Sequence, residues 1–381
     1  MAKAVYVGVG SKARKMKKAY IGIGGKARKV KKMYIGVGGK ARLCYSAELK
    51  KVGTATALSI PCYVSAAASV GNYALFAGLY QYFLTPGSPL ATDAYDTSLT
   101  KSSPTGLSAM RKDCGAAAIG DHALFAGGGD DNGNKVQSSV DAYDASLTRS
   151  SAPALTGPRR LVGAAIAGDH ALFAGGVNKS GDTTRYYKTV DAYSASLTRT
   201  SADTMSSGNR YSMKGTTVNK YALFAEEQYD SRVEAYSPSL TRVTVSPLSR
   251  SSPEYVVATA VGNYAIFSGS SLTADVYDGS LTKTTASILN RGRSSMAAVT
   301  VGDYALFAGG FPSTDTEYTP VATDDVDACD SSLTRTTAAA LSVIVEGPVA
   351  ATVGDYALIA GGYINRASNA GYSDTVDVYT A

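Results

Sequence analysis

Residues Val301–Gly310 read VGDYALFAGG, and this ten-residue phrase occurs seven times along the chain with few changes. Each copy starts 40 to 52 residues after the copy before it. A repeat of this length indicates an architecture in which one small structural unit packs against the next. The copies are Val70–Leu79, Ile119–Gly128, Ala167–Gly176, Val218–Glu227, Val261–Ser270, Val301–Gly310 and Val353–Gly362.

A second phrase follows each copy, for example VDAYDASLTR at Val140–Arg149. Both phrases are rich in β-branched and aromatic residues and are bounded by Gly, Asn, Asp or Ser, which predicts two short strands. Two further extended stretches, such as TRSSAPAL and VGAAIAG, precede the next copy. Four strands per unit are typical of a propeller blade, so we expect an all-β, seven-bladed propeller over residues 47–381. The other second phrases start at Thr92, Val190, Val233, Ala274, Val326 and Val376.

The blades resemble kelch repeats. A diglycine follows the second strand in four blades, and Val140–Asp144 matches the kelch pattern V-x-x-Y-D. An Arg stands nine residues before the first turn glycine, or its Asn219 equivalent, in four blades. The chain departs from the kelch pattern in having no Trp, and blades one, four and five lack the second glycine. The residues that carry the resemblance are Gly127-Gly128, Gly175-Gly176, Gly309-Gly310, Gly361-Gly362, Arg111, Arg159, Arg210 and Arg293.

The end of the chain predicts how the ring closes. The chain stops at Ala381, inside the third strand of the last blade, so that blade lacks an outer strand of its own. Residues Val52–Ile60 align with Thr334–Ser342, which is a fourth strand. We therefore expect Val52–Ile60 to pair with Val376–Tyr379 and to cover the free sheet edge.

A basic arm precedes the propeller. Residues 1–51 hold fifteen Lys or Arg and one acid, a net charge of +14, whereas the whole chain carries +6 and the remainder therefore −8. Three 14-residue units begin at Tyr6, Tyr20 and Tyr34, and their strand and turn residues predict one β-hairpin each. We assign residues 1–46 to attachment. The cations expected to act there are Lys12, Arg14, Lys26, Arg28, Lys40 and Arg42.

Three interpretations of the arm stay open: docking onto an acidic protein surface, binding of nucleic acid through phosphate contacts, and a solvated tail. The GIGGKAR stretch is not a phosphate-binding P-loop, because Ala27 and Ala41 stand where that motif needs a hydroxyl residue. The chain has no apolar run long enough to span a membrane as a helix, and its N-terminus lacks the apolar run of a signal peptide. We expect the four scattered cysteines to be apolar fillers.

Catalytic groups are not evident. The two histidines, His122 and His170, occupy a position that is Tyr in the other blades, so we expect structural aromatic residues there. Each blade also carries an acid on its third strand, which we interpret as a repeat feature rather than a metal cluster. We therefore expect a protein that is not an enzyme and that has no cofactor or metal. The acids are Asp93, Asp141, Asp191, Glu234, Asp275, Asp327 and Asp377.

Ligand binding is expected at one rim. In antiparallel blades the second-to-third and fourth-to-first connections share one rim, and the second-to-third connections differ widely between copies. They are rich in Tyr mixed with Gly, Ser, Asn and Asp, which is a common composition for recognition loops. The expected ligand-binding residues are Tyr80, Tyr82, Tyr186, Tyr187, Tyr229, Tyr318, Tyr363 and Tyr372.

The arm and propeller together are similar to tail proteins of phages and prophages of Gram-positive bacteria, in which YIGVGGKARKVKK-like repeats precede a β-rich module. The resemblance implies a virion structural protein that assembles in the host cytoplasm, present in several copies. Its arm would dock to other tail or baseplate proteins, and its propeller would bind a host-surface glycan or protein in receptor binding or host attachment. The alternative is an intracellular kelch-type adaptor whose arm binds nucleic acid or an acidic protein.

Overall fold

A computed structural model describes residues 48–81, 91–130, 135–180, 183–206, 211–227, 230–249, 255–313, 321–364 and 370–381, and the backbone of six strands within residues 6–46. These residues form strands, turns and loops. Across the described ranges, no helix is long and apolar enough to cross a membrane.

The three N-terminal repeat units each form a two-stranded antiparallel hairpin, which confirms that prediction. The predicted attachment cations fall on the second strand of each hairpin. In the backbone register Lys12 lies opposite Val9, Lys26 opposite Ile23 and Lys40 opposite Val37. The strands are β1 (Tyr6–Val9), β2 (Lys12–Lys15), β3 (Ala19–Ile23), β4 (Lys26–Val30), β5 (Lys32–Val37) and β6 (Lys40–Ser46).

The closing strand β7 (Lys50–Thr54) follows, and then the first four blades. Blade one comprises β8 (Tyr63–Val70), β9 (Tyr73–Tyr80), β10 (Thr92–Asp96) and β11 (Lys101–Ser102). Blade two comprises β12 (Gly115–Ile119), β13 (His122–Ala126), β14 (Val140–Asp144) and β15 (Arg149–Ala152). Blade three comprises β16 (Gly163–Ala167), β17 (His170–Ala174), the inserted hairpin β18 (Val177–Ser180) and β19 (Thr183–Tyr186), then β20 (Val190–Ser194) and β21 (Arg199–Ser201). Blade four comprises β22 (Met213–Val218), β23 (Tyr221–Glu226), β24 (Val233–Tyr236) and β25 (Arg242–Thr244).

Three further blades complete the ring, and the last takes β7 as its outer strand. Blade five comprises β26 (Val257–Val261), β27 (Tyr264–Ser268), β28 (Thr273–Asp278) and β29 (Lys283–Ser287). Blade six is preceded by β30 (Arg293–Ser294) and comprises β31 (Ala297–Val301), β32 (Tyr304–Ala308), β33 (Phe311–Pro312), β34 (Val326–Asp330) and β35 (Arg335–Thr337). Blade seven comprises β36 (Val349–Val353), β37 (Tyr356–Ala360), the short pair β38 (Tyr363–Ile364) and β39 (Gly371–Tyr372), and β40 (Val376–Thr380).

The seven blades form a closed ring. The first strand of each blade contacts the first strands of both neighbours, and β36 of blade seven contacts β8 of blade one. Seven apolar clusters fill the spaces between successive blades. In the cluster between blades seven and one, Phe76 and Tyr95 pack against Leu358 and Val376. The predicted all-β, seven-bladed propeller is therefore confirmed.

Closure through the N-terminal segment is also confirmed, with shifted bounds. Strand β7 pairs antiparallel with β40, and the amide of Ala55 donates to Val376 O at 2.9 Å. The predicted strand Val52–Ile60 was too long at its C-terminal end, because residues 56–60 leave the sheet and lead to blade one. At the other end, Lys51 extends the pairing and its Nζ lies 2.8 Å from Asp377 Oδ1.

The turns between the third and fourth strands carry backbone strain at one position, which repeats from blade to blade. In six blades the Leu of Ser-Leu-Thr has a left-handed backbone, with φ from 59° to 65°. In blade one, Asp96 Oδ1 accepts hydrogen bonds at 2.8 Å from the amides of Ser98 and Thr100, which fixes this turn. The strained Leu99 packs against the apolar cluster between blades seven and one. Burial of the leucine side chain offsets a conformation that costs about 1–2 kcal/mol.

The closing strand yields the first testable prediction. A chain without residues 1–46 keeps β7, and we expect its melting temperature to match that of the full chain. A chain without residues 1–55 loses the β7 ladder and the Lys51–Asp377 ion pair, so its free energy of unfolding falls by several kcal/mol at roughly 0.5–1.5 kcal/mol per lost hydrogen bond. Chemical denaturation of both truncated chains measures this difference. Equal stabilities would show that β7 does not hold the ring.

Candidate functional site

Two sets of connections meet at one rim of the propeller, which we call the variable rim. In blades one, two, three and seven the described fourth-to-first connection pairs there with the segment that follows the second strand. Lys112 pairs with Gly129, Arg160 with Val177 and Glu346 with Tyr363, and in blade one Tyr63 pairs with Tyr80 within the sheet. These backbone pairs give loops of different sequence the same base.

The arm joins the propeller at the other rim, which we call the constant rim. Strand β40 runs from the variable rim towards the constant rim, and β7 pairs with it in the opposite direction. Lys50 lies opposite Thr380 at the constant rim, and Thr54 lies opposite Asp377 further up the blade. The chain therefore enters the propeller at the constant rim, on the side away from the variable loops.

Aromatic side chains gather on the variable rim at the seam between blades seven and one. The Tyr63 ring stacks with Tyr80 and with Tyr363, at centroid distances of 5.7 and 6.2 Å. Tyr372 meets Tyr63 and Tyr363 edge-on at 5.6 and 5.4 Å. The sequence analysis predicted Tyr80, Tyr363 and Tyr372 as binding residues, and the structure brings these three together. They surround Tyr63, which the sequence analysis missed.

A carboxyl group completes this seam. Tyr63 Oη donates to Glu346 Oε1 at 2.7 Å. Burial raises the pKa of Glu346, and the hydrogen bond from Tyr63 works in the opposite direction. A signal for Tyr63 and Glu346 was present in the sequence, because both stand four residues before the small residue that faces the channel, and this position differs from blade to blade.

The other predicted tyrosines are placed differently. Tyr187 is 6% exposed and its ring lies beside the guanidinium groups of Arg159 and Arg185, at 5.4 and 4.9 Å. It anchors its loop and offers little surface to a ligand. Tyr80 is also buried, at 8% exposure, beneath the aromatic seam. Tyr186 is half-buried on the β18–β19 hairpin, and Tyr82, Tyr229 and Tyr318 lie outside the described residues.

The central channel has a wall of small side chains at its middle. One Ala or Gly from each first strand faces the axis, opposite a Phe or Ile of the second strand. A cavity of about 330 Å³ opens there, and within the described chain the single charged residue of its wall is Lys214. The seven small residues are Ala67, Ala116, Ala164, Gly215, Ala258, Ala298 and Ala350.

The third-strand acids hold the fourth-to-first connections in place. Each is buried on its own blade and accepts a backbone hydrogen bond from the incoming connection. Asp141 accepts from the Ser108 amide at 2.9 Å and Asp377 from the Ser342 amide at 3.0 Å. The same pattern joins Ser59 to Asp93, Thr156 to Asp191, Ser206 to Glu234, Ser249 to Asp275 and Asn290 to Asp327.

The kelch-like arginines join the same network. Arg159 is fully buried, its Nη2 lies 2.6 Å from Asp191 Oδ2, and it donates to Phe173 O. Arg111 and Arg293 pair in the same way with Asp141 and Asp327, while Arg210 lies outside the described residues. The equivalent positions in blades one and seven hold Cys62 and Val345. These charges therefore stabilise the base of the variable rim.

The histidines and cysteines fit structural positions. His122 and His170 open the second strands β13 and β17, as Tyr73 opens β9. Burial raises the pKa of Cys329 to about 12 and also raises that of the Cys114 thiol. Among the residues described, no group of three His, Cys, Asp or Glu side chains is arranged to hold a metal ion.

Comparisons with known proteins bear on the fold. No protein-family model matches the chain, and no curated protein matches it. Among solved structures 1078 chains match. One, titled "Structure of YjhT", is 13% identical with a TM-score of 0.54 and covers 70% of this chain and 97% of its own. At this identity the similarity concerns the fold alone, and it agrees with the propeller architecture.

The buried network yields the second prediction. We expect Arg159→Val to lower the free energy of unfolding by about 3 kcal/mol, because Asp191 loses its buried partner. Arg199→Ala is the matched control, since Arg199 contacts the same carboxylate at 3.4 Å but is 34% exposed. Its loss should cost no more than about 1 kcal/mol. Urea unfolding of both variants measures the difference, and equal losses would contradict the structural role of the buried pair.

Proposed function

We propose that this chain is a non-enzymatic structural protein of a phage or phage-like particle. The arm docks to tail or baseplate proteins, and the variable rim binds a ligand on the host surface. The observation that supports this most directly is the placement of the two parts. The arm enters at the constant rim through β7, and the diverse loops lie at the opposite rim. This placement lets the arm and the variable loops contact two different partners at the same time.

The chemistry of the two parts supports the same division. Residues 1–51 carry a net charge of +14, which favours an acidic docking surface. The variable rim combines Tyr side chains on loops with a base that is built from buried ion pairs. A rigid base with diverse loops is how recognition surfaces are commonly built. A propeller is equally suited to a binding role inside a cell. The experiments must therefore distinguish the proposed function from that of an intracellular kelch-type adaptor.

The arm supplies the third prediction. A chain without residues 1–46 should stay folded but should no longer be incorporated into particles, because the attachment cations are gone. Incorporation is measured by immunoblotting purified particles made with the full or the truncated chain. Normal incorporation of a folded, truncated chain would place the attachment site on the propeller, and retention on nucleic acid by the full chain alone would favour the adaptor.

The variable rim supplies the fourth prediction. Tyr186→Ala and Tyr363→Ala should each weaken attachment to Gram-positive cells or purified cell-wall glycans, by up to about thirtyfold for a well-buried anchor. Their melting temperatures should change little, since both residues lie outside the repeated core.

Matched changes at the constant rim serve as controls. Asn72→Ala and Ser146→Ala alter exposed turn residues on that side, and attachment should stay intact. The proposal fails if the constant-rim changes abolish attachment while the Tyr changes leave it unaltered.

A further inference from the structure

One sequence position near the start of each blade varies although the blade around it repeats. It stands four residues before the small channel residue in each blade and is Tyr63, Lys112, Arg160, Tyr211, Glu254, Ser294 or Glu346. The seven blades act as internal controls, because they share one fold. Since aromatic, basic, acidic and hydroxyl residues all occur here, the fold does not require any particular side chain at this position.

The structure shows that this position forms its backbone pair with different side chains in different blades. Tyr63 pairs through its backbone with Tyr80, and Glu346 with Tyr363. Lys112 and Gly129 make the same backbone pair in blade two without an aromatic or acidic side chain. The backbone pair therefore does not dictate which side chains stand at Tyr63 and Glu346.

At the seam of blades seven and one these side chains form a combined aromatic and acidic surface. Tyr63, Tyr363 and Tyr372 are each half-buried, so part of every ring stays at the surface. Within the described residues, Tyr63 has two stacked ring neighbours, Tyr80 and Tyr363, whereas Tyr363 has one, Tyr63. Glu346 contacts the same stack through its 2.7 Å hydrogen bond with Tyr63, and its second carboxyl oxygen leaves further acceptor capacity.

A pyranose sugar matches this chemistry. Its C–H face is flat and apolar and lies well against an aromatic ring, while its hydroxyl groups are donors that suit a carboxylate. Binding sites for small polar ligands commonly combine apolar walls with a few placed polar groups. The cation Lys112 is buried over the Tyr80 ring, whereas the charged group beside Tyr63 is the carboxyl of Glu346, and an acid favours a neutral sugar over an anionic one.

We propose that the seam of blades seven and one is a saccharide subsite, where Tyr363 stacks on a neutral pyranose and Glu346 accepts hydrogen bonds from its hydroxyls. Tyr63 and Tyr372 are positioning residues that hold Tyr363 and Glu346. This inference rests on the proposed function, because it names the ligand class of the same rim.

Saturation-transfer NMR on the full chain tests the subsite. The probes are the methyl glycosides of glucose, galactose and N-acetylglucosamine, with sorbitol as a polyol that lacks the flat ring face. We expect saturation of ring C–H protons in at least one pyranoside and none in sorbitol. Tyr363→Ala should weaken that binding about tenfold, and Tyr363→Phe should retain it because the stacking ring remains.

Ser146→Ala is the control, since it changes an exposed turn residue at the constant rim and should leave pyranoside binding unaltered. The subsite is overturned if none of the three pyranosides is saturated, or if Tyr363→Ala binds as the unaltered chain does while its melting temperature is unchanged. If cells still attach through the rim tyrosines when no pyranoside binds, the subsite fails and the proposed function stands. If rim substitutions leave cell attachment intact, the proposed function itself fails.

Discussion

The pairing of β7 with β40 is the constraint on which the rest of the structure depends. Without β7 the sheet of blade seven would end at the edge of β40, and no strand from the N-terminal segment would tie that blade to blade one. Residues Lys50–Thr54 cover that edge, and Lys51 Nζ also bonds to Ala340 O and Ser342 Oγ beside Asp377. Residues from both ends of the described propeller thus share one blade, so the ring opens only if this pairing is broken. Closure also fixes where the arm leaves, because β7 begins at the constant rim.

Once the ring is closed, the two rims come under different physical demands. The constant rim consists of tight turns that must fit the next blade, as at Gly120, where a Cβ atom would lie 2.7 Å from the Ala195 Cβ. Variation is restricted there, although Asn219 adopts the same positive φ in blade four. At the variable rim the buried acids hold each connection at one position, through the amide and hydroxyl of a Ser or Thr in six blades and through the amide of Asn290 in the other. The rest of each connection is left free to vary. Loops of different composition therefore rest on one repeated base.

The repeats made most of the fold predictable. Strand positions, blade number and closure followed from the seven copies and from the missing outer strand. The left-handed leucines did not, because Leu99 and its equivalents occupy a conformation that favours Gly, and only their packing against the neighbouring blade explains it. The role of the third-strand acids was predicted in part, because they were recognised as a feature of the repeat. Their partners were not predicted, since Arg159 and Asp191 are 32 residues apart and only the sheet register brings them together. The aromatic seam was missed in part for the same reason, since Tyr63 and Glu346 are joined only by ring closure.

Comparison among the blades separates residues that the fold needs from residues that it tolerates. The channel alanines, the turn glycines and the third-strand acids recur because every blade must pack, turn and hold its incoming connection. The position of Tyr63 and Glu346 meets none of these demands, yet the two meet across the seam of blades seven and one with a hydrogen bond of 2.7 Å. Both side chains carry polar groups that must be satisfied when partly buried, and this hydrogen bond satisfies one group of each. The Tyr63–Glu346 hydrogen bond therefore couples the proposed saccharide subsite to the seam that closes the ring, because its two partners belong to different blades.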